Sequence, residues 1–205
     1  MFFSYLLEKY GKNEPIMSNE IEFKEYSKPW IYKQLNDLVS EGKLIRFEKG
    51  VYYIPTETIF GKSLLNPRKV IEKKFIRDGE DTIGYYSGVT FQNQLRLTTQ
   101  MSNIIEIYTN NETTRVRDIF VGSQKVLLRK ARTKITKDNV AVLSFLELMN
   151  NAGADFIDTE RKAIICDYIK ANGITRKEIT EYASVFPDRV MRNLIESEVV
   201  YSVAP

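Results

Sequence analysis

The chain has 205 residues, with 30 Lys/Arg, 27 Asp/Glu, one cysteine and no histidine. The lack of histidine excludes Ser-His-Asp and Cys-His catalysis and histidine-bearing zinc sites, and a lone thiol, Cys166, cannot form an internal disulfide. The net charge of +3 is uneven: residues 1–60 carry −1, residues 61–137 carry +8 and residues 138–205 carry −4.

A small domain followed by a medium one fits this length. The apolar content, 43%, is that of a folded protein. No apolar run reaches the length of a membrane span. The segment MFFSYLLEKYGK lacks the basic region and small-residue cleavage site of a secretion signal. With a single cysteine, a reducing, cytoplasmic setting is the expectation.

Phe2, Phe3, Leu6, Leu7 and Tyr10 recur at helical spacing, with Gly11 as the stop. A short second helix is expected from Ser18 through Ile21. In SKPWIYKQLNDLVSEGK, Ser27 can cap a helix and Pro29 falls in its first turn. Ile31, Leu35, Leu38 and Val39 form the apolar stripe, and Gly42 ends it. LIRFEKGVYYI then alternates about Glu48-Lys49-Gly50, the pattern of a β-hairpin. Helix, short helix, helix and hairpin within about sixty residues is the order of a winged helix-turn-helix domain, placed at 1–58. Such domains also serve as protein-contact modules.

Residues 59–81 read as a connector, with a helix from Arg68 to Arg77. A mixed domain follows over 82–205. It should have a short strand in TIGYYSG, a short helix in VTFQNQL and an antiparallel meander of NIIEIYT, TTRVRDIFV and KVLLRKAR. Helices over 136–205 complete it: Thr136 capping Asp138–Asn150, then Asp158–Asn172. A capping box, Thr175 to Glu178, and a last helix opened by Pro187 follow. The fold class is therefore α+β: a winged helix, a small antiparallel sheet and a C-terminal helical segment.

In a winged helix the third helix enters the major groove and the hairpin touches backbone or minor groove. The apolar stripe leaves Lys33 and Asn36 on the opposite face, while Lys28 and Trp30 project from the first turn. Arg46 and Lys49 lie on the hairpin. Lysine can meet phosphate or a guanine edge, and asparagine can pair with adenine. Each of these residues also reads as plain solvated surface, and Trp30 as a packing residue. Lys125, Arg129, Lys130, Arg132 and Lys134 cluster in KVLLRKARTK, either as a charge-protected edge strand or as a face for DNA or another partner. No phosphate-binding loop, Rossmann fingerprint or C-x-x-C occurs, and scattered acids such as Glu106, Asp118 and Asp138 form no catalytic set. No cofactor or metal is expected, and Cys166 reads as a core residue.

LNDLVSEGKLIRFEKGVYYIP, then FG, NP and GYYSGVTFQNQLRLTTQ, resembles the AbiEi-like antitoxins of type IV toxin–antitoxin systems, over roughly residues 3–150. The most characteristic part is SG, N-Q-L and LTTQ. Where the family pattern usually has glycine, this chain has Arg96. The resemblance implies a cytoplasmic, non-enzymatic protein whose winged helix binds inverted repeats in its own promoter and represses the operon. Its second domain would oppose a nucleotidyltransferase-like toxin, with or without direct contact. Carried over, the DNA residues are Lys28, Lys33, Arg46 and Lys49, and the antitoxin-domain motif is Asn93, Gln94, Thr98, Thr99 and Gln100. Two rivals are a stand-alone winged-helix regulator with a ligand-sensing α/β domain, and a carboxylate-only enzyme acting on nucleic acid or nucleotide.

Overall fold

The computed structural model describes residues 1–24 and 26–203. It is α+β and divides into two compact units: Met1–Lys73 with the turn Val121–Ser123, and Lys74–Phe120 with the chain from Gln124 on.

The first unit begins with helix α1 (Phe2–Tyr10) and strand β1 (Ile16–Met17). Helix α2 (Lys28–Ser40) and the strands β2 (Ile45–Glu48) and β3 (Val51–Tyr53) follow. The three strands form one sheet in the order β1-β3-β2, with Ile16 opposite Tyr52 and Ile45 opposite Tyr53. Gly50 takes the left-handed conformation, φ 81°, that the hairpin turn requires. Ile31, Leu35 and Leu38 turn inward from α2 onto Phe2, Leu6, Ile16 and Leu44, so the spacing that predicted the helix also built the core. A small hairpin, β4 (Glu57–Thr58) with β5 (Gly61–Lys62), and helix α3 (Pro67–Ile71) complete the unit.

The short helix expected at Ser18–Ile21 is not there. Ser18–Glu20 form a turn, and no helix occurs between β1 and α2 among the described residues. Pairing decides this: Ile16 and Met17 are held on β3, and the Ser18 N–H donates to the Gly50 carbonyl at 2.9 Å. The Lys28 ammonium then binds two carbonyls of this segment, Asn19 O at 2.8 Å and Ile21 O at 2.9 Å. An aromatic stack covers it, with Tyr26 and Trp30 rings 4.0 Å apart and Phe23 and Phe2 beside them. The connector helix occurs where expected, over residues 67–76, but changes type part-way. Asn66 caps α3, which passes into a π-helical turn over Glu72–Ile76.

In the second unit a two-residue hairpin, β6 (Arg77–Asp78) with β7 (Asp81–Thr82), leads to β8 (Gly84–Ser87), helix α4 (Gly88–Gln94) and β9 (Ile104–Thr109). Strands β10 (Val116–Val121) and β11 (Gln124–Lys130) follow. The sheet order is β10-β11-β9-β8, with β8 antiparallel and β11 parallel to β9. The expected antiparallel meander is thus wrong in one pairing. The reason lies in burial: Ile105, Ile107 and Thr109 of β9 are buried on one face of the sheet and Tyr108 on the other, and Val126 and Leu128 of β11 are buried on one face. Those two strands belong inside. β10 is exposed along most of its length and takes the edge, a place the charged β11 was a candidate to hold. Gly84 admits no side chain, because a Cβ there would lie 1.9 Å from the Phe75 carbonyl oxygen.

Helix α5 (Val140–Asn151) is buried from Val142 through Asn150 and packs on β8, α4, α7 and α8. Its cap is Asn139 rather than Thr136: the Asn139 amide accepts from Thr136 N–H and donates to Lys134 O, which delays the helix by two residues. Helices α6 (Thr159–Ala171), α7 (Arg176–Ala183) and α8 (Arg189–Glu196) follow. Asp158 caps α6, and Thr175 with Glu178 forms the capping box predicted for α7. Cys166 is half-buried rather than a core residue.

α4 ends in a Schellman motif. Leu97 N–H donates to Gln92 O at 2.9 Å, and Arg96 N–H to Asn93 O at 3.0 Å. This places Arg96 at φ 62°, a conformation that costs a side-chain-bearing residue about 1–2 kcal/mol. Glycine there gives back part of that gain as unfolded-state entropy. Arg96→Gly is therefore expected to stabilise the chain by up to about 1 kcal/mol, read as a higher urea midpoint. A lower midpoint would mean the arginine side chain makes a compensating interaction.

Candidate functional site

On α2, Lys33 and Asn36 are exposed three residues apart, and neither side chain hydrogen-bonds within the described residues. Arg46 on β2 and Lys49 in the turn after it are also exposed. The structure therefore leaves these four side chains unengaged. It employs the other two. Lys28 is committed to the Asn19 and Ile21 carbonyls, and Trp30 is half-buried in the aromatic stack.

The stretch Gln92–Gln100 closes on itself. The Asn93 amide donates to Gln100 O at 2.7 Å, and the Thr98 hydroxyl accepts from Gln100 N–H at 3.2 Å. Arg161 of α6 donates through Nε to Leu97 O at 3.1 Å, tying the loop to the helical segment. Asn93 and Thr98 are thus structural, while the Gln94, Thr99 and Gln100 side chains face solvent.

The basic strand does not act as one face. Lys125 pairs with Asp118 at one end of β11. Arg129, Lys130 and Arg132 line a cleft of about 380 Å³ at the other end, together with Tyr108, Thr113 and Arg115. Lys134 borders a neighbouring recess of about 220 Å³ that also touches Lys130 and Glu112. Glu112 is buried, yet against that burial the Thr114 N–H and the Arg117 guanidinium hold its carboxyl below the usual range.

Under the cleft lies a polar cluster in the core of the second unit. Glu147 of α5 is 1% exposed. It accepts from the Tyr108 hydroxyl at 3.1 Å, Asn150 Nδ2 at 2.7 Å and Arg132 Nε at 3.1 Å. Asn150 Oδ1 accepts in turn from Arg189 Nε at 2.7 Å. Tyr85 stacks on Tyr108, its partner across β8 and β9, at 5.4 Å. Arg132 sits over the Tyr108 and Phe186 rings at 5.7 and 4.9 Å. Burial raises the Tyr108 hydroxyl to about 12, with the Glu147 carboxylate adding to the shift, and raises Tyr85 well above its ordinary value for the same reasons.

Arg115, Glu147, Asn150 and Arg189 were not foreseen. One signal was available: Glu147 is the only charge in AVLSFLELMN, and an acid in so apolar a helix needs a partner. Among the described residues no group of three metal-ligating side chains occurs. Compared with known proteins, the chain matches no family model, and no curated protein matches it.

Removing one partner of a buried ion pair costs roughly 3–5 kcal/mol. Arg132, 26% exposed at its side chain, can recover some hydration. Glu147→Ala is therefore expected near the lower figure, about 3 kcal/mol by urea unfolding, and a loss under about 1 kcal/mol would sink this account. The tyrosines add an alkaline limit. A hydroxyl at about 12 when folded and about 10 when unfolded contributes stability in full below pH about 10. That contribution is lost as pH rises from about 10 towards about 12, because the unfolded chain releases its proton first. Tyr108→Phe should lower the urea midpoint at neutral pH and flatten its decline above pH about 10. An unchanged alkaline decline would remove Tyr108 as a cause.

Proposed function

We propose that this chain is a DNA-binding antitoxin and autorepressor of a type IV toxin–antitoxin operon, with a winged helix in its first unit. The observation that carries the DNA half is α2. One face is core, through Ile31, Leu35 and Leu38, while the other offers Lys33 and Asn36 unengaged to solvent. Strand β1 before α2, the β2–β3 hairpin after it and the sheet order β1-β3-β2 support this reading, although no helix lies between β1 and α2 among the described residues. A turn pinned by Lys28 stands where the middle helix was expected, so the reading places the DNA contacts on α2 and the hairpin alone.

In this reading Lys33 and Asn36 meet the major groove, and Arg46 and Lys49 hold phosphates on either side of the wing. Residues 1–60 carry a net charge of −1, which places the weight on those few cations, so binding should be salt-sensitive and specific rather than diffuse. The toxin-opposing half rests on the resemblance of GYYSGVTFQNQLRLTTQ to the family. The self-closing geometry of that stretch supports a scaffolding part for Asn93 and Thr98, and leaves Gln94, Thr99 and Gln100 for contact.

A gel shift on the DNA upstream of the protein's own gene tests the first half. The intact chain should retard it. Lys33→Ala with Arg46→Ala should weaken retardation at least about tenfold and reduce the slope of log affinity against log salt by about 2. No retardation at low salt would refute the DNA reading. Co-expression with a nucleotidyltransferase-like toxin encoded alongside tests the second half, and growth arrest that the chain fails to relieve would refute it.

A further inference from the structure

The cleft at the end of β11 has a composition that points to a ligand, independently of any antitoxin activity. Four cations line it: Arg115, Arg129, Lys130 and Arg132. Two are already balanced, Arg129 by Glu106 at 3.4 Å and Arg132 by Glu147 at 3.1 Å. Arg115 and Lys130 make no ion pair among the described residues, yet the Lys130 N–H to Arg115 O bond at 3.4 Å holds their backbones side by side. The nearest remaining acid, Glu112, is turned into its own loop and onto Arg117. Like charges gathered in a concave site repel one another, and an anion resolves that repulsion.

We propose that this cleft binds a phosphorylated small molecule, recognised at its phosphate. Guanidinium forks bind phosphate oxygens two at a time, and the Thr113 hydroxyl adds a neutral donor. Arg129 and Arg132 are pre-set for this. Arg132 donates through Nε to the buried Glu147, and Arg129 faces Glu106 through Nε, which holds both side chains at the cleft and reduces the ordering cost of binding. Arg115 and Lys130 supply the charge that no internal acid has claimed. The volume, about 380 Å³, lies at the small end of ligand sites. The Tyr108 ring offers no open stacking face, since Tyr85, Arg129 and Arg132 lie against it. The phosphate, and not a base, is therefore the recognised part.

The test is calorimetric titration of the full chain at low salt with pyrophosphate, adenosine monophosphate and adenosine. Saturable one-to-one binding of either phosphate, with none of adenosine, is expected. Arg115→Ala with Lys130→Ala should weaken it at least about tenfold. Both side chains are exposed and unpaired, so that variant should keep its melting temperature, while Lys125→Ala, at the far end of β11, should leave affinity unchanged. No saturable binding at about 1 mM ligand overturns the proposal. So does equal weakening by Lys125→Ala, which means diffuse charge only. Binding of a single-stranded oligonucleotide without either small phosphate also overturns it, since the cleft is then part of a polynucleotide face.

Discussion

The second unit is organised around one carboxylate that has left water. Glu147 sits in the most thoroughly buried helix of the molecule, where an isolated ion costs several kcal/mol. Its oxygens are satisfied from three directions: the sheet through Tyr108, its own helix through Asn150, and the segment after β11 through Arg132. Arg189 extends the chain of bonds to α8. Apolar packing alone tolerates sliding of a helix on a sheet, because it is non-directional. A carboxylate with three fixed donors does not, so the register of α5 against β8, β9 and α8 is set by polar geometry as well as by volume.

The same carboxylate shapes the surface above it. By engaging Arg132 through Nε it turns a flexible cation into a fixed wall of the cleft, and Glu106 does likewise for Arg129. A basic patch read from sequence as one strand's worth of charge therefore separates into parts with different duties. Lys125 is neutralised by Asp118, Arg129 and Arg132 are oriented by acids, and Lys130 is left open beside Arg115.

Much of the local architecture was legible in the sequence because short-range chemistry determines it. The α2 stripe, the turn at Gly50 and the Thr175–Glu178 box each depend on residues within one or two turns of one another. The misses share a different cause. The turn at Ser18–Glu20 is enforced by β3 and by Lys28, and β9 pairs in parallel with β11 rather than with β10, its neighbour in sequence. Glu147 and Arg189 lie 42 positions apart and meet through Asn150. Arg96 shows the limit from the other side: its left-handed backbone is where glycine is favoured, but the residue itself gives no sign of it. For the candidate DNA face, side-chain exposure was readable from periodicity, whereas the diversion of Lys28 to backbone carbonyls was not.

The parallel pairing also ties the cleft to one register. Lys125 stands beside Ile104 and Arg129 beside Tyr108, so β11 meets β9 only after the chain has run out along β10 and turned at Gly122-Ser123. A slip of β11 by one residue would exchange its two faces, burying Arg129 and exposing Val126 and Leu128. Arg129 reaches Glu106, and Arg132 reaches Glu147, only in the observed register. The walls of the cleft therefore report the pairing of the sheet beneath them.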